Sequence, residues 1–186
     1  MLHAYLGDAK FWGVLLRLDE DLAAKAREGG CRHCGAVVHG ARYPRKPRGV
    51  GRTVLGPEYG YRLSLCCARE GCRRRTTPAS VRFLARRVYL GALVVLVSAL
   101  AQGLTERRLG ELRERFGVSA RTVRRWRRWW GEVFALSRWW RGACGEFMPG
   151  LNGDELPGEL VVRIGGGEGE NALVATLRFL SPVTVP

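Results

Sequence analysis

The stretch Leu109 to Trp130, LGELRERFGVSARTVRRWRRWW, leaves the chain few structural choices. Leu109, Leu112 and Phe116 fall at i, i+3 and i+7, one face of an α-helix. Gly117 stands where that helix should stop, because a residue without Cβ turns through positive φ freely. Val118 can tuck back under the corner, and Ser119 can cap a second helix by accepting a backbone N–H. Val123, Trp126 and Trp130 then repeat the i, i+3, i+7 spacing. The expected unit is a helix-turn-helix. Its second helix should carry Arg121, Arg124, Arg125 and Arg128 away from the Val123/Trp126 seam. An apolar back with a guanidinium front suits the major groove of double-stranded DNA. Ser119 and Thr122, at the start of that helix, join these arginines as expected DNA contacts.

Charge points the same way. The formal net charge is +14, and nearly all of the basic residues are Arg, whose planar fork matches phosphate and guanine edges. Residues 31–90 carry fourteen basic and two acidic groups, and residues 91–141 carry eleven and four. Residues 142–186 are acidic, with two basic groups against six acidic ones. The positive field is confined to the middle of the chain, which favours a nucleic-acid partner. No membrane association is expected. The apolar run Val88 to Ala101 would span about 21 Å as a helix, short of the roughly 30 Å hydrocarbon core, and reads as a buried helix. Met1-Leu2-His3-Ala4 lacks the basic start and apolar core of an export signal, so a cytoplasmic, nucleoid-associated protein is expected. Cysteines in that reducing setting suit metal better than disulfides.

The cysteines have metal-ligand spacing. Cys31-Arg-His-Cys34-Gly35 is a C-x-x-C on a tight turn, with Gly35 letting the chain reverse. Cys67-Ala-Arg-Glu-Gly-Cys72 is a second pair, with Gly71 as its permissive residue. Cys31, Cys34, Cys67 and Cys72 are the expected ligands of a structural Zn2+, a closed four-sulfur set with no open position for water. The third ligand stays open between Cys66 and Cys67. Cys67 leaves the smaller loop, in which case Cys66 can turn into the core. His39 is an alternative to one Cys, whereas His33 lies inside the first pair and reaches the same metal poorly. Ala36-Val37-Val38 and the alternating Tyr61, Leu63 and Leu65 read as hairpin strands, joined through the polar loop YPRKPRGVG. Without metal, so Arg-rich a module has too little apolar content to fold. Arg73, Arg74 and Arg75 follow the second pair directly and can lie on phosphates.

The remaining segments complete a mainly α fold with a small β zinc ribbon. Asp8 to Glu28 reads as a helix whose apolar residues Phe11, Trp12, Leu15, Leu16, Leu18 and Leu22 cover a small domain. Asp19, Glu20, Asp21 and Lys25 form its polar side, and no chemistry is expected there. Helices over about 88–101, 105–116 and 119–131 make a trihelical bundle, with Gln102-Gly103 breaking the first and Thr105-Glu106 capping the second. Trp129, Trp139 and Trp140 extend that core or stack on bases, with core the better fit to helical spacing. Cys144 reads as a plain buried thiol. Gly and Pro recur through MPGLNGDELPGEL and RIGGGEGEN, Asn171 to Leu180 reads as a last helix, and Ser181 to Pro186 as extended. Four segments result: a packing helix over 1–30, a ribbon module over 31–87, the helical DNA-binding domain over 88–141, and an acidic segment over 142–186.

A cysteine ribbon, then RRRTTPxSVRF at Arg73–Phe83, then a helix-turn-helix resembles the N-terminal DNA-binding region of bacterial insertion-sequence transposases and of short transposase-like proteins. The similarity covers about residues 31–141 and implies recognition of an element's terminal repeats. Such transposases also carry an RNase H-like domain with three metal-binding carboxylates. Here Asp154, Glu155, Glu159, Glu168 and Glu170 sit among glycines without a βα framework. No Ser/His/Asp set is apparent, and Gly165-Gly166-Gly167 has no following Lys-Ser/Thr to make a phosphate loop. A non-enzymatic, sequence-specific DNA-binding protein is therefore expected, a transposition factor or a transcription regulator, acting as a homodimer or with a partner transposase. The competing readings are a protein-interaction adaptor built on the ribbon and acidic tail, and a non-autonomous transposase fragment. RNA would also suit the basic ribbon face.

Overall fold

The computed structural model describes residues 5–45, 49, 55–84, 90–100, 103–166 and 169–185. The fold is mainly helical with one small antiparallel sheet. Helix α1 (Ala9–Glu28) starts at Asp8, whose side chain accepts from the Lys10 N–H, and Lys25 and Arg27 complement the dipole at its end. Strands β1 (Val38–Pro44), β2 (Tyr61–Cys67) and β3 (Arg75–Thr76) form a sheet in the order β1-β2-β3. Helices α2 (Gly91–Ala99), α3 (Glu106–Phe116) and α4 (Ala120–Arg128) follow. A π-helical turn over Trp129–Phe134 continues α4, then come α5 (Arg138–Ala143), α6 (Gly158–Gly165) and α7 (Glu170–Leu180). Among the described residues no helix is long and apolar enough to cross a membrane.

α2 is the centre of the main core. Its Ala92, Leu93, Val94, Val95 and Val97 are all buried, which requires neighbours on every side. α4, α6 and α7 supply them. Leu160 and Leu173, Leu177 and Leu180 bring the acidic C-terminal segment into this same core. α1 contributes Phe11, Trp12 and Leu15 to it. The hairpin and its cysteine turns have a separate, smaller core of Cys31, Val38, Leu65 and Cys67, against which Ala26 near the end of α1 packs. The expectation that α1 merely covers a small domain is thus corrected: its first half belongs to the helical core and its later part lies over the sheet.

The predicted bundle helices run slightly long. Residues 105–116 appear as α3 with Thr105 as the N-cap, while 88–101 appears as α2, with residues 88–89 and 101–102 outside the described set. The third helix stops at Arg128 in α geometry, where the π turn begins. Two C-terminal readings are overturned, and one helix is added. GELVVRIG is helix α6, because Leu160 and Val161 find the core despite the flanking glycines. The tail is a 3-10 turn over Ser181–Thr184, not extended, and Thr184 is buried. Cys144 is only half-buried, its thiol donating to the Arg141 carbonyl at 3.5 Å. In the hairpin, the strand begins at Val38 rather than Ala36, and Lys46, Pro47, Arg48 and residues 50–54 of the connecting loop lie outside the described residues. β2 is covered on both faces: Arg62 and Ser64 are buried as well as Leu65 and Cys67.

Trp130 and Phe134 approach to 4.7 Å between ring centroids, and Phe134 to 5.0 Å from Trp140. Trp139 packs on Phe179 of α7 at 5.1 Å. The expected core role of these aromatics is what the packing displays, and the Trp130–Phe134 and Trp139–Phe179 pairs meet edge-on, as ring quadrupoles favour.

Candidate metal centre and nucleic-acid interface

Two short turns bring the four sulfurs together. In the first, the Cys31 N–H donates to the Ala36 carbonyl and the Gly35 N–H to the Cys31 carbonyl, both at 2.8 Å. Gly35 takes φ 71°, a left-handed conformation costly for other residues. In the second turn Gly71 takes φ 82°, and the Arg69 N–H donates to the Cys67 sulfur at 3.4 Å. The hairpin register pairs Val38 with Cys67, which sets the end of β2 beside the first turn.

Cys31 and Cys72 lie 3.8 Å apart, Cys34 and Cys67 3.5 Å, and all four sulfurs fall within 4.8 Å of one another. Metal–sulfur bonds near 2.3 Å in a tetrahedron set sulfurs about 3.8 Å apart, so the cage has the size of a metal site. Disulfides, at about 2.05 Å, are not formed. Among the described residues this is the one close grouping of metal-ligating side chains. The Ala36 N–H, working against burial and with the neighbouring sulfurs, holds the Cys34 thiol down to about 6. Burial pushes Cys67 up to about 12, outweighing the Arg69 N–H. Thiols packed this closely resist full ionisation unless a cation sits among them.

The expected alternatives separate cleanly. Cys67 is in the cage; Cys66 points the other way, its sulfur 3.8 Å from the Arg73 carbonyl. It does not turn into the core as anticipated, because strand alternation gives the buried place to Cys67. His39 pairs with Cys66 across the sheet and is likewise outside the cage. His33 is exposed, with Nδ1 3.1 Å from Arg74 Nη1.

The basic helix is built with equal economy. Gly117 ends α3 at φ 65°, its N–H donating to the Arg113 carbonyl at 3.0 Å and the Val118 N–H to Leu112 at 3.2 Å. The Gly117 bond, from a left-handed residue to the carbonyl four positions back, is the αL type of helix stop. Val118 is wholly buried beneath the corner. Ser119 Oγ then accepts from the Thr122 N–H at 3.3 Å and lies 3.1 Å from the Thr122 hydroxyl. Val123, Trp126 and Trp130 are buried. Arg121, Arg124, Arg125 and Arg128 are exposed, as is Ser119, and Thr122 is half-exposed. Arg127, not singled out from the sequence, is exposed too. Arg128 lies 3.7 Å from Glu132, a solvent-screened pair. Arg73, Arg74 and Arg75 are all exposed beside the second cysteine turn.

A buried polar network escaped the sequence reading. Asp19 is not on the solvated side of α1. It accepts from Arg82 Nε at 2.8 Å, the Ser80 hydroxyl at 2.7 Å and the Val81 N–H at 2.7 Å. Arg82 also donates to the Tyr61 carbonyl at 3.0 Å. The signal was available: Asp19 continues the stripe Phe11, Leu15, at helical spacing, where an apolar residue belongs.

No protein-family model, curated protein or solved structure matches this chain.

Proposed function

We propose that this is a non-enzymatic, sequence-specific DNA-binding protein of the transposase-like type. The observation that carries the reading is the sidedness of α4. Five exposed arginines cover its outer surface while Val123 and Trp126 bury its back. In this reading α3, the Gly117 turn and α4 act as a helix-turn-helix, with α4 in the major groove. Arg124 and Arg125, in mid-helix, read guanine edges through bidentate forks. Arg121 and Arg128, nearer the ends, hold phosphates and set the register. Ser119 combines capping with a backbone contact. The four-cysteine cage holds a structural zinc ion, whose charge offsets the crowded thiolates and folds the ribbon. Arg73, Arg74 and Arg75 then add sequence-independent phosphate contacts.

The reading assigns the protein to element ends or an operator, without strand transfer of its own. Equilibrium binding of the full chain to duplex DNA over a salt series tests it. Affinity should fall steeply with salt, and specific DNA should compete at least about a thousandfold better than random duplex. Equal competition by both would leave a non-specific basic protein in its place.

A further inference from the structure

The hairpin has a second face, opposite the sulfur cage, with more positive than negative charge. Side chains alternate across a strand, and Tyr43 pairs with Arg62 on this face. Arg45 Nη2 donates to the Tyr43 hydroxyl at 3.4 Å, and the Arg45 guanidinium lies 5.0 Å from the centre of the Tyr43 ring. The nearby Thr77 side chain also favours the ionised form of this phenol. Beneath them Arg62 is only 5% exposed, its Nη2 donating to the Pro78 carbonyl at 2.6 Å and to Thr184 Oγ1 at 3.4 Å.

Arg62 has no carboxylate of its own among the described ion pairs. Asp19 is the carboxylate buried nearby, and it is engaged by Arg82, Ser80 and the Val81 N–H. Arg62 and Arg82 both lie against the Phe83 ring, at 6.0 and 5.1 Å. Two guanidinium groups in the interior thus share one acid. An excess buried charge is costly, and an anion near its surface outlet lowers that cost. The outlet is Tyr43. Burial resists ionisation of its phenol, yet the bond from Arg45, the Thr77 side chain and the charges of Arg45 and Arg62 override that resistance. A second anion at this point would meet the same donors.

We propose that Arg45, Tyr43 and Thr77, with the charge of Arg62 beneath them, form a phosphate-binding subsite. Phosphate oxygens would accept from the Arg45 fork and from the two hydroxyls, an arrangement of charge-assisted bonds. The group bound is a phosphodiester of nucleic acid or a free phosphate, which share this chemistry. The subsite stands on its own geometry and does not depend on what α4 does.

The full-length protein titrated with inorganic phosphate at constant ionic strength, against chloride, tests the subsite through backbone amide chemical shifts. The amides of Tyr43, Arg45 and Thr77 should shift saturably with phosphate and not with chloride. Arg45→Ala, on an exposed side chain, should weaken that response about tenfold or more while the remaining spectrum stays folded. In the duplex salt series, Arg45→Ala should flatten the slope by about one if the bound group is a phosphodiester. A phosphate response with an unchanged slope assigns the subsite to free phosphate. A wild-type protein that responds to phosphate but binds no duplex keeps the subsite and removes the proposed function. Identical shifts with phosphate and chloride, or a phosphate response untouched by Arg45→Ala, overturn the subsite.

Discussion

The Asp19 carboxylate and the Arg82 guanidinium meet at 2.8 Å with side chains 2% and 1% exposed. One comes from the long first helix and the other from the segment that leaves the sheet. Their union, with Ser80 and the Val81 N–H, ties the segment after the sheet to the first helix. Thr184 adds a second tie, its hydroxyl accepting from the Ser80 N–H at 2.8 Å. If the arginines beside the cysteine turns and those of α4 serve one ligand, this joint is what keeps them in a common frame.

Asp19→Ala should therefore cost about 3–5 kcal/mol, since it leaves Arg82 charged and buried without its partner. Urea unfolding followed by circular dichroism measures this. Asp19→Leu combined with Arg82→Met should recover part of the loss, because the guanidinium that Asp19 holds is removed with it.

The metal prediction is stoichiometric. Elemental analysis should find one zinc ion per chain. Cys34→Ser or Cys67→Ser should lose the metal and the hydrogen-exchange protection of the hairpin, whereas Cys66→Ser should keep both. Acid works in one direction: ligation needs thiolates, so protons displace the metal as pH falls. Zinc retention should decline on acidification and return on neutralisation under reducing conditions.

On α4, Arg124→Ala and Arg125→Ala should each weaken specific binding by about 1–3 kcal/mol where the guanidinium reads a base. Where it grips phosphate instead, the salt slope should flatten by about one. Arg128→Ala should have the smaller effect, because Glu132 already lies 3.7 Å from its guanidinium. Fluorescence anisotropy with labelled duplex reads all three.

Gly117→Ala isolates the turn. A Cβ there meets nothing within 4 Å, so sterics with neighbours contribute no penalty. The φ of 65° alone should cost about 1–2 kcal/mol, visible as a melting temperature lowered by a few degrees.

Local signals carried far in this chain. Gly117, Ser119 and the Val123/Trp126 spacing announced a stop, a cap and a buried seam, each decided by residues within one or two turns. Cys31, Cys34, Cys67 and Cys72 were legible because ligand spacing is a local property and the hairpin only had to close. What failed was long-range. Asp19 looks like any surface acid until Arg82, sixty-three positions later, folds onto it. Helix α6 was hidden by its glycines, since its stability comes from burial of Leu160 rather than from propensity. Cys66 faces away from the core because the register sets Cys67 opposite Val38, a pairing that spans the hairpin.

Random-site selection on duplex DNA with the purified full-length protein bears most directly on the α4 face. A single recurrent motif, rich in guanine at adjacent positions and lost with Arg124→Ala/Arg125→Ala, is the predicted result. A pool that stays unenriched, or a motif unchanged by that double substitution, would contradict the assignment of this helix to the major groove.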